Sequence, residues 1–230
     1  AAVEAVMQGK KFMSRRLASP AFPDFEDSSV IGRHGEEAIA PSASSPSVRR
    51  QAVRCHEVQF YSNESVFLDR FTGFLGTALR GGNVGVFVGT VSHRATLLER
   101  LHLESPDIGR AIRQGKYLAL DAAEFLSKCM VNDMPDAGCF LRIVDDLIVA
   151  ASQEASGEHL HLALCGECAQ VLWAQGKADA AIRLEELWNQ IAAIYSLDIL
   201  CGYSLESLRH EEDSYTFRRI CEEHSRVYSS

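Results

Sequence analysis

Apolar and polar positions along the chain change period several times, and each change marks an element. EVQFY (57–61) is a short apolar and aromatic run and predicts a strand. Val66, Phe67, Phe71, Phe74, Leu75 and Leu79 then recur at helical spacing over 64–80, and Gly81-Gly82 stops that helix. VGVFVG (84–89) is a continuous valine-rich run, the pattern of a strand buried on both faces. Helical spacing returns over 92–103, with Ser92 as the expected N-cap and Leu97, Leu98 and Leu101 inward. YLALD (117–121) predicts a third strand and 122–131 a short helix. From Asp136 to about Gln153, Phe140, Ile143, Val144, Leu147 and Ile148 form the stripe of a long helix. HLHLALC (159–165) is a fourth strand, after which Gly166-Glu167 opens a helix through Val171, Leu172 and Trp173 that closes near Gly176. Asp179 caps a long helix with Ile182, Leu184, Leu187, Trp188, Ile191 and Tyr195 on its inner face. DILCGY (198–203) is a fifth strand, and a final helix is expected over 213–226.

Strands separated by helices of this length are β-α-β crossovers. The expected fold is α/β: a three-layer sandwich in which a mostly parallel sheet of about five or more strands has helices on both faces. Ligands in such sheets bind beyond the carboxyl ends of the strands. That rule points to Tyr61-Ser62, Gly89-Thr90, Asp121, Gly166-Glu167 and Gly202-Tyr203.

Residues 1–54 break the pattern. They hold Pro20, Pro23, Pro41 and Pro46 of the six prolines, the run PSASSPS (41–47), and little apolar periodicity. They are expected to form a flexible low-complexity tail with a short helix near 1–17, ahead of one domain over 55–230. The tail carries 8 basic and 6 acidic residues of the chain's 23 and 31, leaving 15 and 25 for the domain. With a net charge of −8 and a pI near 5.5, direct nucleic-acid binding is not expected. No apolar run reaches the roughly 18 residues of a membrane span, and the first residues lack a secretory h-region. Seven cysteines, an odd number at mixed spacings, fit reduced thiols and a cytoplasmic protein.

The first strand-to-helix turn is where a nucleotide enzyme carries its glycine-rich loop. Here it reads FYSNESVF (60–67), with no glycine and no Lys-Ser/Thr pair, so no phosphate cradle forms there. Cys165-Gly-Glu-Cys168 is the most chemical-looking motif, because a helix N-terminus lowers a thiol pKa. No proline follows Pro135, so the cis-proline that faces a thioredoxin-type pair is absent. The two thiols read first as small buried apolar groups and second as a redox pair. A metal reading would need Cys201, Cys221, His224, Cys55 or His56 to join them in space. Glu167 and Asp121 read either as helix-start carboxylates or as groups facing the crevice. His159 and His161 share one strand face with no third ligand near, and Trp173, Trp188 and Tyr195 read as core. Glu185 follows the apolar stripe of its helix, whereas Glu186 faces water. No GxSxG, HExxH or kinase signature occurs. The chain is therefore expected not to be an enzyme, with no metal and no cofactor assigned.

HEVQFYSNESVF (56–67), ALRGGNVGVFVGTVSHRATLLERL (78–101), GKYLALDAAEFLSKCM (115–130), GECAQVLWAQGKADAAIRLEELWNQI (166–191), LDILCGYSLESL (197–208) and ICEEHSRV (220–227) together resemble the MEDS domain. This is the sensory domain named for methanogen and methylotroph regulators, including the dichloromethane-responsive repressor. The resemblance implies a RecA/KaiC-like fold that has lost its phosphate loop, and a signal-sensing role in regulation. Positions matching the pattern are His56, Phe60, Tyr61, Gly166, Glu167, Trp173, Glu185, Trp188, Asn189, Cys201, Tyr203 and His224. Of these, His56, Tyr61, Glu167, Trp188, Asn189 and Tyr203 are the expected ligand-binding residues. Cys165 and Cys168 lie outside the pattern. The implied function is non-catalytic: the domain binds an unidentified small molecule or partner protein and signals in trans to a kinase, response regulator or transcription factor. A homodimer is compatible with this. The alternatives are a thiol redox switch at Cys165 and Cys168, or a degenerate nucleotide-binding protein.

Overall fold

The computed structural model describes residues 12–13, 55–154, 161–195, 197–208 and 213–229. Strand β1 (Phe12–Met13) precedes β2 (Cys55–Tyr61), helix α1 (Glu64–Arg80), β3 (Val84–Gly89), α2 (Val91–Glu104), α3 (Pro106–Arg113) and β4 (Tyr117–Asp121). Helix α4 (Ala122–Cys129), the short hairpin of β5 (Met130–Val131) and β6 (Met134–Pro135), and α5 (Ala137–Glu154) follow. The chain continues with β7 (Leu162–Gly166), α6 (Cys168–Ala174), α7 (Ala178–Ile194), β8 (Leu197–Ser204), a 3-10 turn (Leu205–Leu208), α8 (Asp213–Glu223) and β9 (Arg226–Ser229).

The main sheet has the order β1-β9-β2-β8-β7-β3-β4. All pairings from β9 to β4 are parallel, and only the two-residue β1 runs antiparallel, with Phe12 opposite Val227. Parallel strands need crossover connections, and these cover both faces with helices. One face carries α1, α2 and α3, packed over Phe67, Phe71, Leu75, Phe87, Leu97, Cys165 and Leu200. The other carries α4 to α8 over Val58, Phe60, Val86, Leu164, Ile199 and Tyr203. Alternation along each strand divides the two cores: Val58 and Phe60 serve one face while Tyr61 serves the other. The molecule is thus the α/β three-layer sandwich that the periodicity predicts.

Several local expectations change; Lys177 and not Asp179 stands at the N-cap of α7, where no side chain caps the helix. Thr90, not Ser92, caps α2, accepting the His93 N–H at 3.5 Å. Helix α3 is added, started by Ser105 with Pro106 in its first turn. The last helix ends at Glu223 instead of continuing to 226, because Arg226–Ser229 pair in parallel with β2 as a further strand. The short helix expected near 1–17 lies outside the described residues, apart from Phe12–Met13, which pair as a strand.

Candidate functional site

Strands β3 and β7 are neighbours, yet the chain leaves them in opposite directions, from β3 outward to β4 and from β7 inward to β8. A crevice opens at the carboxyl end of a sheet where connections diverge in this way. Glu167 sits there, buried, at the start of α6. Its side chain makes no cap to its own helix. It reaches across to the other turn, accepting the Thr90 N–H at 2.7 Å and meeting His93 Nδ1 at 2.9 Å through both oxygens. His93 Nε2 meets Glu64 Oε1 at 3.0 Å. An imidazole held between two carboxylates ties the starts of α1, α2 and α6 together. The hydrogen bond to Glu167 raises the His93 pKa, against the opposing effect of burial, and Glu64 adds to the rise.

Two glycines make this approach possible. A Cβ on Gly89 would stand 2.9 Å from Glu167 Oε1, and one on Gly166 would stand 2.6 Å from the Val88 carbonyl oxygen. Beside the tie, Arg94 meets Asp121 at 2.9 Å. Asp121 also caps α4, accepting the N–H groups of Ala123 and Glu124 at 3.0 Å each. The bond from the Glu124 N–H, with Arg94 as a further cause, holds the Asp121 pKa below the usual range. Arg94 and Asp121 line a pocket of about 320 Å³ between β4, α4 and α5, whose apolar wall is Leu120, Phe125, Ile143 and Leu147.

A second group of polar residues lies under the other face, inside the larger core. Glu185 on α7 is fully buried. Its Oε1 accepts the Tyr203 hydroxyl at 2.6 Å. Around its Oε2 stand His56 Nε2 at 3.2 Å, the Cys201 thiol at 3.3 Å and His224 Nε2 at 3.4 Å. The two imidazole centroids are 4.0 Å apart. Burial alone would raise the Glu185 pKa, but the two imidazoles, His224 foremost, outweigh it and hold the carboxylate well below its ordinary range. Burial and the neighbouring His224 ring lower the His56 pKa. Burial, then Glu185, push the Cys201 thiol far up. Asn189 links His56 to Glu223, with contacts of 3.2 and 2.8 Å.

A family model matches residues 55–224, described as the MEthanogen/methylotroph, DcmR Sensory domain, MEDS. The chain belongs to the MEDS family. It therefore carries a sensory domain, and the resemblance read from the residues is borne out over residues 55–224. No curated protein matches the chain.

Within this MEDS domain the expected ligand-binding residues divide between the two places. Tyr61 and Glu167 lie at the strand ends, and burial followed by the Glu167 charge raises the Tyr61 pKa. His56, Asn189 and Tyr203 gather instead around Glu185. Trp188 belongs to the core, stacked on Phe125 at 6.1 Å and edge-on to Phe140 at 4.7 Å. Sequence reasoning missed His93 and Glu64, because nothing local links them to Glu167, 74 residues from His93. It also left Glu223 unassigned.

The motif Cys165–Cys168 does not place two thiols in one environment. Cys165 packs in the α1–α3 core and Cys168 in the opposite core. Desolvation by burial raises both pKa values well above the ordinary thiol range, which suppresses the reactive thiolate. At the β2–α1 turn, Ser62 and Asn63 make the whole connection, and Asn63 caps α1 by accepting the Ser65 N–H at 2.8 Å. Among the described residues no helix is long and apolar enough to cross a membrane.

Proposed function

We propose that the domain is a non-catalytic sensor. A small molecule binds in the pocket beside β4, and its presence is relayed through the first turn of α2 to a partner protein in trans. The observation that carries this reading is the adjacency of Arg94, which lines the pocket, to His93, which is tied to the buried Glu167. The pocket joins an apolar wall to a few polar groups, the usual make-up of a small-molecule site. A ligand that engages Arg94 or Asp121 shifts α2 and strains the Glu64–His93–Glu167 tie across the crevice. The ordered surface at the strand ends then changes for a kinase, response regulator or transcription factor that reads it. The tight, glycine-free β2–α1 turn supports this over a nucleotide-binding role.

The test is thermal unfolding of the full chain against a panel of small organic acids, alcohols and amines, with wild type and Arg94→Ala side by side. A compound present at about 100 times its Kd stabilises by about 2.7 kcal/mol, which is roughly 5–10 °C for a domain of this size. The expected result is such a rise in wild type and its loss in Arg94→Ala. A panel without any rise, or a rise that Arg94→Ala retains, overturns the pocket as the sensing site.

A further inference from the structure

We propose that His56, Glu185, Cys201 and His224 form a closed four-ligand site for a divalent transition-metal ion of the zinc type. The ligands come from β2, α7, β8 and the turn after α8, so the fold and not a local motif assembles them. Their four ligand atoms lie within 4.8 Å of one another, and every one of the residues is buried. The site is separate from the strand-end crevice, and either proposal can fail without the other.

The spacing between these atoms is the first argument. His56 Nε2 to Glu185 Oε2 is 3.2 Å, His56 Nε2 to Cys201 Sγ 3.4 Å, Cys201 Sγ to Glu185 Oε2 3.3 Å, and His224 Nε2 to Glu185 Oε2 3.4 Å. Zinc bonds of about 2.0–2.1 Å to nitrogen, 2.0–2.2 Å to oxygen and 2.3 Å to sulfur give a tetrahedron with edges of roughly 3.3–3.6 Å. Charge-assisted N–H···O contacts would close to about 2.7–2.9 Å. The Tyr203 hydroxyl does close on the same carboxylate, at 2.6 Å. Three groups around one oxygen stand back at the separation of ligands sharing a cation.

The outer contacts are the second argument. Metal-bound histidines donate their other ring N–H to a carbonyl, carboxylate or similar acceptor, which fixes the inward nitrogen. His224 Nδ1 does this to the Ile220 carbonyl oxygen at 2.6 Å. His56 Nδ1 does it to Asn189 Oδ1, and Asn189 in turn donates to Glu223 Oε2. Both imidazoles thereby turn Nε2 toward the same point. His224 Nε2 is buried there with no hydrogen-bond partner, a costly arrangement that a metal bond would satisfy.

Charge is the third argument. With Glu185 bound as a carboxylate, a metal displaces the Cys201 proton to give a thiolate. Two anionic and two neutral ligands around a dication make a neutral unit, which suits a dry core far better than an unpaired charge. Four protein ligands leave no open position, so the metal is structural or regulatory, tying β2, β8 and α7 to the C-terminal segment.

The full chain, purified without chelators, is analysed for metal by mass spectrometry, then stripped and titrated with Co2+. We expect one equivalent of zinc as isolated. The Co2+ form is expected to show thiolate-to-cobalt charge transfer and tetrahedral ligand-field bands. Cys201→Ser, folded by circular dichroism, loses the charge-transfer band, while Cys168→Ser keeps it. Should Cys201→Ser fail to fold, Asn189→Ala retains all four ligands and lowers Co2+ affinity about 10–100-fold. A folded chain that takes up neither Zn2+ nor Co2+ overturns the proposal. So does a Co2+ spectrum that Cys201→Ser leaves intact, or an affinity that Asn189→Ala leaves unchanged.

Discussion

At the scale of single residues, the most informative side chain is His93. Its pKa is raised above the ordinary 6.5, first by the hydrogen bond to Glu167 and then by both carboxylate charges, with burial opposing. A raised histidine stabilises the fold fully below its unfolded pKa, and that contribution is lost as pH rises through the folded value. The tie between α1, α2 and α6 is thus strongest in mild acid and weakens from about pH 6.5 upward. His161 beside Asp198 is shifted in the same direction, so wild type alone cannot isolate the effect. The comparison is with His93→Gln, by urea midpoints at about pH 6 and about pH 8. Wild type should lose more stability over that interval than the variant. Equal losses would mean that His93 is not charged in the folded state.

At the scale of elements, the crevice exists because β7 ends on a residue without a side chain. A Cβ on Gly166 would lie 2.6 Å from the Val88 carbonyl oxygen and 3.3 Å from Val88 Cβ, and no rotamer relieves a clash with backbone. Gly166→Ala should therefore destabilise by about 1–3 kcal/mol, as overpacking does. It should also return the His93 pKa toward its ordinary value by displacing Glu167. Gly73→Ala on α1 meets nothing within 4 Å and should stabilise by about 0.5–1 kcal/mol. Proton NMR titration of His93, with urea midpoints, checks both; a Gly166→Ala protein with wild-type stability and His93 titration refutes the close-approach argument. Elements with sustained periodicity were legible in the sequence, and α1, β3 and β4 have the expected ends. Helix α3 was not, since its eight residues offer too few apolar positions to set a period, although Ser105-Pro106 is a start signal. Strand β9 was not, because four residues become a strand only through their pairing with β2. The Cys165–Cys168 motif misleads for a related reason. Its spacing is local, but it spans the step from a strand facing one core to a helix facing the other.

At the scale of the whole molecule, both candidate sites depend on contacts that no local pattern encodes. His56 and Cys201 are 145 residues apart, and the resemblance named both without showing that Glu185 joins them. Glu185 looked like an apolar-stripe position because it is one: it faces the core, and only the histidines, thiol and tyrosine brought in by other elements make that burial tolerable. The first strand of the matched domain, β2, and the C-terminal segment meet at this place. Ser225 donates to the His56 carbonyl oxygen from both its N–H, at 2.7 Å, and its hydroxyl, at 2.8 Å. Beyond it, Val227 is fully buried, Arg226 pairs with Glu57 at 2.7 Å, and Arg70 lies over the Tyr228 ring at 4.5 Å. Deleting residues 225–230 removes these bonds, exposes the edge of β2 and leaves His224 at a chain end. Loss of the valine burial and the hydrogen bonds should cost about 3 kcal/mol or more. Co2+ affinity should fall as well, although all four proposed ligands remain, because the turn that aims His224 inward is no longer fixed by β9. Val227→Ala separates the two effects, since it weakens packing while keeping Ser225 on His56. It should lower the urea midpoint with little change in Co2+ affinity. If the truncated chain unfolds at the wild-type midpoint, β9 is an accessory to the domain; if it loses stability yet binds Co2+ as wild type does, the metal site is held by β2, α7 and β8 alone.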